Sequence, residues 1–458
     1  MIDKQDNLSS ADREIRESFQ NLILEVLSIL PKYIQNREDI PIRETLKVVP
    51  LHNGYQEKSH KVYDLISVIP NIYSLKTYNH CLQLVSENKQ LRPHSCSYFV
   101  ILSSFIRDYL EGVNPEKVDF DQKKFDYIFE EYIDSLLSKD YESVSICPLI
   151  GFESDTESIT LDEGLSIRKI TPDELNEIWD LISSFDQNSV SFKDKLKSTK
   201  YVIEQLSIKT KSSDIHSDYD LISFVILAMR LLKSDKFWAN RRSDKLLLPW
   251  KKKLSSIHGI TNYDNPLLNS YHYFLSKEEI TDLRRTYILV KNSDKIISAQ
   301  KDKSISRSIE WFNRYFYEFN IEHRFIFLML LMESLCSSEG EKTEILYKLS
   351  NRISLIIGRN DEDIISIAKC VKKLYGKRSE IIHGSSLVVE EKYVTKAEEY
   401  SRRLLNMFLL FSSNGYTKND IFNLVNHAIV SKSYREELDR IVRPEENLKK
   451  YGLCKESL

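Results

Sequence analysis

The chain has 458 residues, 41% hydrophobic and 29% charged, and its 65 Lys and Arg nearly balance 68 Asp and Glu for a net charge of −3. That length allows about two to four domains of ordinary size, and the near-neutral charge excludes a polycation, so any nucleic-acid contact must be a local patch. Six scattered cysteines without a CxxC pair point to thiols used as small core residues in a reducing compartment. His80, Cys81, His94 and Cys96 stand close together, but adjacent ligands and an H-x-C pair do not match zinc spacings, so no metal or cofactor is expected. The first residues lack the apolar stretch of a signal peptide. The longest fully apolar run, Phe325 to Met332, is far short of a membrane span. The expectation is a cytoplasmic protein with no membrane partner.

In chain order, residues 12–30 carry Ile15, Phe19, Leu22, Ile23, Val26, Leu27 and Leu30 at helical period, with Ser10 as a possible cap and Pro31 just past the end. Residues 97–112 and 123–138 also read as helices, so 1–140 forms a helix-rich N-terminal region. Near Tyr141 the texture changes. Residues 142–152, 156–161 and 165–170 read as strands, with Asp162-Glu163-Gly164 as the turn between the last two. Thr171, Pro172 and Glu174 then spell a capping box. Residues 199–210 read as a strand and 219–234 as a buried helix, making 141–295 a mixed α/β middle domain.

From about residue 296 the strand signals stop. Helices are predicted over 304–319, 323–337, 343–358, 361–384 and 394–415, the second apolar on nearly every face and the third stopped by Gly358. Residues 296–430 therefore read as an antiparallel helical bundle, followed by a charged tail over 431–458. The fold class is mainly α.

The chemistry concentrates in "KKLYGKRSEIIHGSS", residues 372–386. Arg378 and His383 lie five residues apart, about 140° around an ideal helix, so they do not share a face. The spacing alone carries little weight. Its neighbours add some: Glu333 sits inside an apolar helix, and a buried carboxylate needs a cation. Arg352 and Arg378 are both candidates, and the pair serves either as a structural ion pair or as part of a site. Tyr375, one turn before Arg378, either packs or stacks on a base. Gly384 lets the chain leave the helix beside the motif. A second feature spans 233–253, where Arg241, Arg242, Lys245, Lys251, Lys252 and Lys253 interleave with Phe237, Trp238 and Trp250. It reads either as a grip on single-stranded nucleic acid or as a solvated loop with its tryptophans turned inward.

The ordered blocks "LMESL", "LYKLSNRISLIIG" and "KKLYGKRSEIIHG" resemble the ApeA-like branch of the HEPN domains. The likeness covers about residues 300–415, roughly a quarter of the chain. It implies a helical bundle that dimerises, with an Arg-x4–6-His motif facing its twin across the dimer axis in a metal-independent endoribonuclease. Carried over residue by residue, the motif is Arg378, Ser379 and His383. Active members often carry Asn, Asp or His after the arginine, where this chain has Ser379. The resemblance further implies RNA as partner, a homodimer, and a role as a prokaryotic anti-phage or abortive-infection effector whose N-terminal region meets an unknown trigger or regulator.

The chemistry required fits those residue types. RNA carries its own nucleophile, the 2′-OH; histidine titrates near neutrality and can move the proton, and arginine forks onto phosphate oxygens. The competing reading is a non-catalytic RNA- or nucleotide-binding or protein-interaction module. Phosphoryl transfer by the middle domain lacks a Gly-rich phosphate loop.

Overall fold

The computed structural model describes residues 10–35, 42–51, 54–63, 65–66, 69, 71–88, 90–91, 97–115, 117–185, 196, 198–210, 221–239, 241–249, 256–259, 272–299, 302–337, 344–384 and 388–442. The fold is mainly α.

The N-terminal region contains α1 (Ser10–Gln35), a hairpin of β1 (Ile42–Leu51) and β2 (Gly54–Tyr63), and then α2 (Lys76–Glu87), α3 (Tyr98–Leu110) and α4 (Gln122–Leu137). The apolar stripe read along α1 faces inward: Phe19, Leu22, Ile23, Val26 and Leu30 are fully buried. Phe19 meets Phe105 of α3 edge-on at 4.7 Å and Phe129 of α4 at 5.4 Å. These residues form a core of their own, joined by Tyr141 and Leu248. One expectation is corrected here. Helix α1 does not stop before Pro31 but runs through it to Gln35. Proline removes a single backbone donor, and the affected turn is partly solvent-facing, where water can take the freed carbonyl.

The middle region builds a six-stranded sheet from β3 (Asp140–Leu149), β5 (Ser158–Asp162), β6 (Leu165–Lys169), β7 (Tyr201–Thr210), β8 (Arg241–Leu246) and β9 (Ser256–Gly259). The order is β5-β6-β7-β3-β8-β9, and every neighbouring pair is antiparallel. A short parallel pair, β4 (Phe152–Ser154) with β10 (Tyr273–Leu275), lies beside it. Side chains alternate between two cores, as strand geometry requires. Cys147, Leu149 and Ile203 face α6 (Leu221–Leu232), whereas Val144, Ile146 and Val202 face α5 (Pro172–Phe185). Helix α5 opens on the anticipated capping box: Glu174 N–H donates to Thr171 Oγ1 at 3.2 Å, and Thr171 N–H donates back to a Glu174 carboxylate oxygen at 3.0 Å.

The C-terminal half stacks α7 (Ile280–Ala299), α8 (Ser304–Tyr317), α9 (Ile321–Cys336), α10 (Ile345–Ile357), α11 (Asp361–Ile382), α12 (Glu391–Ser413), α13 (Lys418–Ala428) and α14 (Lys432–Val442). Helix α9, the one apolar on nearly every face, is central and packs against α8, α10, α11 and α12. The core does not stop at the sheet. One cluster of buried side chains runs from Ile167 and Ile203 through Val225 of α6 and Leu283 of α7 to Leu328 of α9 and Phe408 of α12. A division at residue 296 falls inside α7. The expected tail from residue 431 is corrected in part: α14 is a helix with Leu438 and Val442 buried, and residues 443–458 lie outside the described residues. No described helix is long and apolar enough to cross a membrane.

Candidate functional site

Helix α11 carries the motif. It starts on Asn360, whose side chain accepts from Asp363 N–H, and Asp361, Glu362 and Asp363 in its first turn suit the helix dipole. Val371 and Leu374 are fully buried and fix the helix against the core. Its other end closes at His383, whose N–H donates to the Ser379 carbonyl at 3.0 Å. Gly384 then turns away with φ +70°, a conformation that favours glycine, and its N–H donates to Ile381 O at 3.1 Å.

On the inner side of that last turn, Arg378 meets Glu333 of α9. Arg378 Nε lies 3.2 Å from Glu333 Oε1, and an Nη of Arg378 lies 3.3 Å from Oε2. Both side chains are about one-fifth exposed, so the pair is sheltered but still reachable from solvent. Burial raises the Glu333 carboxyl above the usual carboxylate range, and the Arg378 charge pulls it back. Tyr375 packs on the core, and the Arg378 guanidinium lies 5.8 Å from its ring centroid. Ser379 is partly buried beside them.

Glu333 is held in place by the pinned end of α9. Arg352 Nη1 donates to Cys336 O at 2.7 Å, and Lys418 Nζ donates to Ser334 O at 2.8 Å, satisfying carbonyls that a helix C-terminus leaves open. Arg352 also donates to Asn426 Oδ1 at 3.2 Å and lies 4.2 Å from the Phe422 ring centroid. Of the two cations that the sequence offered to Glu333, Arg378 is therefore the partner, and Arg352 is a buried cap of α9.

His383 is exposed on the outer side, and its ring makes no hydrogen bond or ion pair among the described residues. Within one chain, Arg378 is held against Glu333 and His383 is exposed at the C-cap of α11, five residues on, a spacing of about 140° around an ideal helix. Together they offer a charged fork and an imidazole ring, with no hydrogen bond between them among the described residues.

The basic segment of 233–253 is strand rather than loop over 241–246, and its Trp238 is turned inward as the loop reading expects. Its middle is β8, paired with β3 and β9, and Arg241, Arg242 and Lys245 sit on that strand opposite Gly259, His258 and Val144. Trp238 is 2% exposed in the core formed with Ile146 and Leu175, so its ring is not presented for stacking on a base, and Phe237 is equally buried. Trp250 and Lys251, Lys252 and Lys253 lie outside the described residues, as do His94 and Cys96. Cys81 is buried, and burial pushes its thiol up to about 12. Among the described residues, no group of three or more His, Cys, Asp or Glu is placed to hold a metal ion.

Two features escaped the sequence reading. A cleft of about 290 Å³ lies at the β4–β10 pair, lined by Glu153, Ser154, Asp155, Lys169, Lys200 and Tyr201 among others. Its lysines are paired, Lys169 with Glu157 at 2.7 Å and Lys200 with Glu153 at 2.6 Å. The other is a line of exposed lysines along α11, visible in the sequence as a basic run without acids from Ile364 to Arg378. Compared with protein-family models, curated proteins and solved structures, the chain has no match.

Proposed function

We propose that the chain is a metal-independent endoribonuclease of the HEPN type, working as a homodimer in which two α11 ends meet. What supports this reading is the end of α11 itself: a fixed arginine and an exposed histidine flank one helix terminus, followed by a glycine turn. Because helical spacing sets the two residues about 140° apart, one site needs the arginine and histidine of two chains, which a two-fold axis at this end supplies. His383 takes the 2′-OH proton or protonates the leaving 5′ oxygen. Arg378 stabilises the charge that develops on the phosphate. Attack by the 2′-OH leaves a 2′,3′-cyclic phosphate. A role in defence against phage rests on the family resemblance alone.

The test is cleavage of RNA by the full-length protein in EDTA, with mass spectrometry of the ends. Cyclic phosphates made by wild type, and lost in both His383→Ala and Arg378→Ala, are the expected result. A second reading has one observation in its favour. The Glu333–Arg378 pair ties α11 to α9 within one chain, as a purely structural ion pair does. Under that reading the protein is a binding module, and His383→Ala changes no activity.

A further inference from the structure

Lys369, Gly376 and His383 recur at every seventh residue of α11. Seven residues fall about 20° short of two full turns and advance about 10.5 Å, so the three share one face over roughly 21 Å. Lys372 and Lys373 lie on the same face, and all five residues are exposed. None of the three lysines has a carboxylate partner among the described residues. The run from Ile364 to Arg378 holds five basic residues and no acid; Glu380, beyond it on the same face between Gly376 and His383, is paired with Lys377 at 2.7 Å.

Two properties of this face work against the stability of the helix. Lys369 stands three and four residues from Lys372 and Lys373, and like charges at that spacing repel. The helix dipole does not compensate, because its effect fades beyond the last turn, and these lysines lie well short of it. The second property is Gly376. A glycine inside a helix is unfavourable, yet a side chain there has open space, with nothing within 4 Å of its Cβ position. Its φ is not in the left-handed region either. Nothing within this chain requires a glycine at 376. A bare backbone between unpaired lysines suits an anionic chain that comes close from outside. A second copy crossing at Gly376 fits less well, because it sets lysines against lysines.

We infer that the outer face of α11 is a phosphate track: Lys369, Lys372 and Lys373 grip the backbone of a single-stranded nucleic acid, which passes over Gly376 and delivers the next phosphodiester to His383. The track spans several phosphates. It rests on the ribonuclease reading only for what happens at His383, since binding needs no cleavage.

The experiment uses the full-length protein and a fluorescein-labelled twelve-nucleotide oligo(dT), which has no 2′-OH and so reports binding alone. Anisotropy is titrated across a salt series for wild type, for the triple variant Lys369→Gln/Lys372→Gln/Lys373→Gln, and for Gly376→Leu. Three lost phosphate contacts are expected to lower the slope of log affinity against log salt by about 2, and affinity at 0.1 M salt by roughly 100-fold. Gly376→Leu is expected to weaken binding without lowering the unfolding midpoint, because leucine is the better helix former. No binding by wild type, or unchanged affinity and slope in both variants, overturns the track. So does a Gly376→Leu protein that changes its sedimentation but not its binding, which identifies the face as a contact between copies. Lysine-dependent binding of oligo(dT) alongside intact RNA in the cleavage assay keeps the track and removes the nuclease reading.

Discussion

Glu333 links the candidate site to the stability of the bundle. Burial raises its folded-state carboxyl above the unfolded value, so the native protein holds the proton more tightly. That contribution to stability is full below the unfolded value and is lost as pH rises through the folded one. Urea midpoints for wild type and Glu333→Gln, taken between about pH 4 and 7, are expected to diverge in one direction: wild type loses stability relative to the glutamine variant as pH rises. Parallel curves refute it. Under the ribonuclease reading, Arg378→Lys keeps the charge but loses the fork, so RNA cleavage in EDTA is expected to fall about 100-fold. Arg352→Ala separates structure from chemistry. It removes the 2.7 Å bond to Cys336 O and the bond to Asn426, at an expected cost of about 2–3 kcal/mol in denaturant unfolding. The sequence showed that Glu333 needs a cation, because it stands in an apolar run. It did not show which, since Arg352 and Arg378 are equivalent until the end of α9 takes one of them.

Two glycines make opposite predictions at the scale of elements. Gly358 ends α10, as the sequence reading expected, but not by a left-handed cap, for its φ is −73°. A Cβ there would lie 2.5 Å from Ser354 O and clash with Ile364 Cγ1, where α11 crosses close to the helix end. Gly358→Ala is therefore expected to destabilise by about 1–3 kcal/mol. Gly376→Ala, in open space on α11, is expected to stabilise by about 0.5–1 kcal/mol. Thermal melts of both variants check the pair, and a stabilised Gly358→Ala or a destabilised Gly376→Ala counts against this account. Elements with strong local signals, such as α5 behind its capping box, were legible from sequence. The β1–β2 hairpin is weakly marked in the sequence: Asn53-Gly54 between the strand segments is a hairpin signal, but the strands mix polar and apolar residues without clear alternation. Trp238 was ambiguous for a different reason: basic neighbours suggest a surface, and only the packing of β3 and α5 puts the ring inside.

The whole molecule carries a consequence for any attempt to isolate the bundle. Sheet and bundle share one buried cluster, so neither closes its core alone. Arg230 of α6 shows how tight the join is. It is 1% exposed, donates to Asn313 Oδ1 of α8 at 2.7 Å, and lies within 5 Å of the Phe316 and Tyr317 ring centroids. Tyr317 Oη donates to Ala239 O at 2.9 Å, and Asn406 of α12 donates to Leu231 O at 3.2 Å. A fragment of residues 296–458 cuts α7 and bares the face of α12 that covers α6, leaving apolar surface and these polar groups without partners. It is expected to show no cooperative thermal transition by circular dichroism. A fragment of 141–442 keeps the shared cluster whole and loses the separate N-terminal core, with its contacts to Tyr141 and Leu248, and the β1–β2 hairpin that lies against α5. It is expected to unfold in a single transition. A cooperative melt from 296–458 at the full chain's midpoint overturns the shared core, because a bundle that folds alone does not draw its stability from the sheet.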